Sequence, residues 1–261
     1  MTRIAIAGLG TVGHAIAAGM TGDMPGITLS AVATRNAAAA RAQLAALGLG
    51  QVALPSLHNI GEHADIVIEC GGAGVLREIA VPVLEAGRQL LVMSAGALLA
   101  SPDMLALWER HRNRIHIPSG AIGGLDAVAA MAEGDIRSAK LVTRKPPAAL
   151  RGVAWLGEQG IDPDRVVQPT LVFAGCALDA VGRFPANLNV AAALSLAGIG
   201  PQRTRVELWV DPAARGNCHA IEVESDSGTM RFSIEAQPSA NPGTSSLAAR
   251  SALALLRRMA T

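Results

Sequence analysis

The segment "GLGTVG", residues 8–13, stands between an apolar, β-branched run at 3–8 and a helical pattern at 11–20. A glycine turn that joins a strand to a helix restricts the possible folds of a chain more than any other feature here. Gly8 permits a tight turn, Gly10 leaves room for a phosphate beside the backbone, and Gly13 lets the helix pack on the strand. The helix begins at Thr11, Val12 and Gly13, whose free N–H groups suit an anion.

The alternation continues. Strand patterns at 27–34, 64–70, 89–95 and 114–120 are separated by helical patterns at 36–47, 75–87 and 101–113. This succession predicts an α/β fold with a Rossmann doubly wound parallel sheet. The stretch 139–147 leads out of that unit, and Pro146-Pro147 stops any regular element. Strand patterns follow at 166–175, 204–210, 217–225 and 229–237, with a helix at 187–198 among them. Asp226-Ser227-Gly228 marks the last two strands as a hairpin. The expected organisation is a dinucleotide-binding domain at 1–120, a second α+β domain at 121–240 and a terminal helix in 241–261 that packs back on the first.

The glycine turn implies NAD or NADP. A site selective for NAD usually carries an acidic residue about 20 positions further on, for the ribose 2′-hydroxyl. Here "VATRN" occupies that place, and Arg35 suits a 2′-phosphate instead. Cys70 and Gly71 in "CGGAG" and Ala95 in "SAGAL" fall at the carboxyl ends of later strands, where open parallel sheets bind ligands.

Composition removes several classes. The 261 residues are 50% apolar and carry a net charge of +1 with no basic block, which argues against nucleic acid and anionic membranes as partners. Only three Phe, three Trp and no Tyr are present, too few for a base-stacking platform. No transmembrane helix and no signal peptide are expected. Three scattered cysteines form no disulfide framework, which points to the cytoplasm. His58 and His63, like His111 and His116, lack the spacing of a metal pair, so no metal site is expected.

In "RGNCHAIEV", residues 215–223, alternation sets Asn217, His219, Ile221 and Val223 on one strand face. Imidazole on a half-apolar face is a candidate general base, and Asn217 a candidate for orienting it or a substrate. Candidate partners for a substrate carboxylate are Arg144 and Lys145 in "TRKPP", and the helix start at Thr244 and Ser245.

"PSGAIGGLDAV" (118–128), "FPANLNVAAALSLAG" (184–198), "NCHAIEV" and "PSANPGTS" (238–245), together with the glycine turn, resemble the L-aspartate dehydrogenase family in order and spacing. The resemblance implies a Rossmann domain plus an α/β domain with an open-faced sheet. It implies NAD- or NADP-dependent oxidation of L-aspartate to iminoaspartate, which hydrolyses to oxaloacetate and ammonia or feeds pyridine-nucleotide synthesis, and a homodimer. Ala121 and Asn187 correspond to cofactor-contacting positions and His219 to the active-site histidine. Two positions depart from the family pattern: Gly243 stands for a lysine and Ala174 for a glutamate. Two alternatives stay open: an NAD(P)H-dependent reductase of another imine, and a dinucleotide-binding regulator without turnover.

Overall fold

The computed structural model describes residues 1–22, 24–185, 188–237 and 245–259. The chain divides into two compact units. The first comprises Met1–Ala97, Pro102–Pro118 and Ala248–Thr261; the second comprises Leu98–Ser101 and Ser119–Leu247.

The first unit follows the expected alternation. Its elements are β1 (Thr2–Ala7), α1 (Thr11–Gly19), β2 (Ile27–Ala33), α2 (Ala37–Ala46), β3 (Ile66–Glu69), α3 (Ala73–Glu85) and β4 (Gln89–Val92), then α4 (Gly96–Leu99), α5 (Pro102–Arg110) and β5 (Ile115–His116). The five strands run in the order β2-β1-β3-β4-β5, all parallel. β1 and β3 are buried for most of their length, as strands covered by helices on both faces must be. Ile4, Ile6, Ile16, Leu44, Ile68 and Leu91 form the core. The terminal helix α10 (Ser246–Met259) adds Ala249, Ala252 and Leu256 to that core.

The second unit contains α6 (Leu125–Met131), β6 (Ile136–Lys145), α7 (Ala154–Glu158), β7 (Thr170–Cys176), α8 (Ala177–Arg183) and α9 (Asn189–Ala197), followed by β8 (Thr204–Val210), β9 (Asn217–Ser225) and β10 (Gly228–Ala236). The strand order is β10-β9-β6-β8-β7; only the β6–β8 pair is parallel. β9 and β10 form the expected hairpin, with Ser225 opposite Gly228 and two residues between them.

Residues 139–147, which the sequence pattern left as a lead-out, instead supply most of β6, the middle strand of this sheet. Ala139, Leu141, Thr143 and Lys145 of β6 are buried, and so are Asn217, His219, Ile221 and Val223 of β9 and Val206, Leu208 and Val210 of β8. Helices α8 and α9 pack on the sheet. Trp155 of α7, Phe173 of β7 and Phe184 at the end of α8 meet edge to face, with ring centroids 5.3–6.0 Å apart. The opposite sheet face is more exposed and polar. Among the described residues no helix is long and apolar enough to cross a membrane.

Candidate active site

The two units contribute different kinds of site. In the first, the residues are held by backbone geometry. Gly8 has φ +101°, a conformation open to glycine, and a Cβ there would lie 2.7 Å from Gly71 Cα. A Cβ on Gly13 would collide with the Gly8 carbonyl oxygen. These two glycines are therefore required by the fold itself. Gly10 is different. Its φ is −77°, and a Cβ there would meet nothing within 4 Å. The protein alone gives no reason for glycine at that position; a pyrophosphate against the backbone does. Gly10 also caps α1 without a side-chain hydrogen bond, and the first turn holds no acidic residue, so the N–H groups of Thr11, Val12 and Gly13 suit phosphate. The residues present fit a dinucleotide.

The carboxyl edge of the parallel sheet is tied together at this turn. Gly8 N–H donates to Ala33 at 2.8 Å, and Cys70 N–H to Ala7 at 2.8 Å. Glu69, 0% exposed, ends β3. Its carboxylate accepts from Gly72 N–H at 2.7 Å, Ser94 N–H at 2.9 Å and Ser94 Oγ–H at 3.1 Å. Burial pushes its pKa up, and these donors oppose the shift. Glu69 thus fixes the loops that carry Cys70, Gly71 and Ala95. No role for it was apparent from sequence; the signal was an acid at the end of an apolar strand, directly before "CGGAG". Arg35 is exposed just after β2 and, among the described residues, makes no ion pair. The neighbouring Asn36 caps α2.

In the second unit the site is made of side chains from two strands. The register pairs Thr143 of β6 with His219 of β9, and Thr143 Oγ1 lies 3.1 Å from His219 Nδ1. His219 is 3% exposed. Burial, and then the charge of Lys145, pull its pKa down to about 3, so the imidazole is neutral at physiological pH. Lys145 ends β6 two residues beyond Thr143, on the same face, and is 1% exposed. Burial lowers its pKa to about 8. Asn217, 6% exposed, shares the face, and its Oδ1 has no hydrogen-bond partner among the described residues.

Strand parity separates two residues that are adjacent in sequence. Lys145 joins His219; Arg144 lies on the opposite face, 3.8 Å from Asp211 and 4.7 Å over the ring of Trp209. The structure therefore does not bring Arg144 to the histidine. Ala121 and Ser245 are buried in this unit, and Ser245 Oγ accepts from Leu247 N–H at 3.0 Å at the start of α10. Asn187 and Thr244 lie outside the described residues. Thr143 was not singled out from sequence, because 139–147 did not read as a strand. Among the described residues no cluster of His, Cys, Asp and Glu could hold a metal ion.

Comparison with known proteins places the chain. A family model described as "Aspartate dehydrogenase, C-terminal" matches residues 126–259, and one described as "Homoserine dehydrogenase, NAD binding domain" matches residues 8–118. L-aspartate dehydrogenase 3 of Bordetella bronchiseptica is 46% identical, covering 98% of this chain and 94% of its own. L-aspartate dehydrogenase of Bradyrhizobium diazoefficiens is also 46% identical, covering 98% and 91%. The crystal structure of aspartate dehydrogenase from Thermotoga maritima shares the fold, with a TM-score of 0.75 at 24% identity over 100% of this chain and 97% of that one. This chain belongs to the aspartate dehydrogenase family.

Proposed function

We propose that the chain oxidises L-aspartate to iminoaspartate, with release of oxaloacetate and ammonia after hydrolysis, in a reaction that also runs in reverse. The observation that carries the reading is the buried set Thr143, Lys145, Asn217 and His219 on one sheet face, in a chain whose relatives are named L-aspartate dehydrogenases. Bound NAD or NADP would supply the hydride acceptor; Gly8, Gly10, Thr11, Val12 and Gly13, with Cys70, Gly71 and Ala95, would hold it, and the family resemblance assigns Ala121 and Asn187 a cofactor role.

The chain's own residues do the rest. The substrate ammonium must lose a proton before hydride leaves Cα, and water must then add to the imine carbon. His219 is the catalytic group on the imine and its attacking water. A neutral ring can accept a proton from that water, and Thr143 fixes its orientation. Asn217 Oδ1 accepts a hydrogen bond from the substrate nitrogen, which would satisfy its missing partner. Ser245, which precedes α10, and Thr244 are assigned to a substrate carboxylate.

Arg35 favours NADP; Arg35→Asp should weaken NADP binding more than NAD binding. The chain acts in the cytoplasm with its three cysteines unpaired. It pairs with a second copy through the exposed face of the second sheet. The ion pairs Lys140–Glu207, Arg144–Asp211 and Arg231–Glu222 on that face balance in charge, which favours self-association. A monomer by sedimentation at micromolar concentration would exclude the pairing.

The decisive experiment incubates the protein with NAD or NADP and a panel of amino acids at alkaline pH and follows reduced cofactor by absorbance. Aspartate-dependent reduction is expected. Reduction only of a different imine, or tight cofactor binding without turnover for any substrate, would overturn the reading.

A further inference from the structure

We propose that Lys145 is the base that takes the proton from the substrate ammonium, leaving His219 to act on the imine and its water. The inference rests on the aspartate reading and deepens it. Lys145 is the largest side chain among those buried almost completely, and none of the ion pairs among the described residues includes it. Asp211, whose backbone N–H donates to the Lys145 carbonyl at 2.8 Å, turns its carboxylate to Arg144 on the other sheet face. A buried ammonium with no counter-ion is costly, and the usual escape is loss of its proton. Continuing the antiparallel register from Thr143–His219 and Arg144–Cys218 sets Lys145 beside Asn217, whose Oδ1 is the orphan acceptor. An amine that makes no ion pair among the described residues, next to an orphan acceptor, is a receptor for a group with several N–H bonds. An alkyl ammonium has three. One hydrogen can go to Asn217 Oδ1 and one to the lone pair of Lys145 Nζ.

The step balances. The substrate ammonium N–H bond breaks and a Lys145 Nζ–H bond forms, so the substrate becomes a neutral amine and Lys145 becomes an ammonium. The nitrogen lone pair can then form the C=N bond as Cα gives up a hydride, which NAD or NADP would accept when bound. With Lys145 lowered to about 8, a substantial neutral fraction exists at mildly alkaline pH. His219 is the one titratable group facing Lys145 from β9; α9 carries none, and Asp126 of α6 with Asp179 and Arg183 of α8 are exposed. Arg144, Asp211 and Cys218 belong to the opposite face.

Three measurements test the assignment on the full-length protein. In Lys145→Ala, kcat with aspartate should fall by about 10²–10⁴-fold while succinate, a dicarboxylate without an amine, still binds by calorimetry. Added small alkylamines should restore turnover, in the order of their basicity. In Lys145→Arg, which keeps a charge but cannot act as a base near neutral pH, kcat should stay low and succinate binding intact. The opposite pattern, with succinate binding lost in Lys145→Ala, kept in Lys145→Arg, and kcat preserved in the arginine variant, makes Lys145 a fixed carboxylate partner and overturns the proposal. Absence of amine rescue in a folded Lys145→Ala that still binds succinate overturns it too. Wild-type turnover with aspartate tests the underlying reading separately. If the alanine variant fails to fold, the Nζ titration of wild-type Lys145 by ¹⁵N NMR decides: an ordinary lysine midpoint near 10 rather than about 8 sinks the assignment.

Discussion

The glycine turn and the β6–β9 cluster would hold their proposed ligands by different means. At the turn, the work is done by backbone: free N–H groups, one left-handed residue and two absent side chains. All of it lies within six consecutive residues, 8–13. At the second site, the work is done by side chains whose positions are 76 residues apart in the chain and 3.1 Å apart in space. Backbone sites tolerate little change because an added Cβ meets main chain, which cannot move aside. Side-chain sites are set by burial, which decides protonation, and one substitution leaves the fold largely intact.

That contrast breaks first at Gly13. Gly13→Ala drives a Cβ into the Gly8 carbonyl, so the turn must open. Affinity for NAD and NADP should fall at least about 100-fold, which is nearly 3 kcal/mol, as read by calorimetry. Gly10→Ala sharpens the point. It has room in the protein, so thermal stability should change by no more than about 0.5 kcal/mol, yet cofactor affinity should drop. Unchanged affinity in both variants would mean that the turn is a fold device alone.

The same contrast explains what could be read from sequence. The turn and its flanking strand and helix obey local rules, and the strand–helix alternation of the first unit follows the same rules, except for the short α4 at Gly96–Leu99. The hairpin from β9 to β10 did too. β6 did not, because the stretch runs into Pro146-Pro147, which reads as a break, and its buried face carries Thr143 and Lys145 next to Ala139 and Leu141. Those polar residues are the ones that build the site. Without the strand, parity could not separate Lys145 from Arg144. Nor does sequence order say that β6 lies between β9 and β8. Glu69 was missed for a related reason: its three donors come from two loops, the farther of them 25 residues along the chain from Glu69.

The next effect concerns His219. Its folded pKa of about 3 lies below the value near 6.5 of an exposed imidazole. Between those values the folded state holds fewer protons than the unfolded state, so stability is complete above pH 6.5 and falls as pH drops through 6.5 toward 3. The full loss is roughly 5 kcal/mol from this residue. Denaturant melts against pH should show the fall in the wild type and a shallower curve in His219→Gln. Identical curves would exclude a buried neutral ring. His219→Ala should also keep cofactor binding and lose about 10²–10⁴-fold in kcat.

The smallest effect tests whether the second strand matters to the ring on the first. Thr143→Val preserves shape on a buried face where Leu208 is its neighbour across β8, and removes only the hydroxyl that meets His219 Nδ1. The lost hydrogen bond is worth about 1 kcal/mol, so kcat should fall several-fold with cofactor affinity unchanged. Thr143→Ser keeps the hydroxyl and should behave as wild type. The direction of the bond follows from chemistry: if Nδ1–H donates to Thr143 Oγ1, then Nε2 is left as the free acceptor that a general base needs. The ¹⁵N shifts of the two ring nitrogens report which tautomer is present, and in Thr143→Val the preference for it should weaken. If valine and serine variants turn over equally and the tautomer does not change, the orientation of His219 comes from β9 alone, and the pairing of β6 with β9 contributes Lys145 to the site but no alignment of the imidazole.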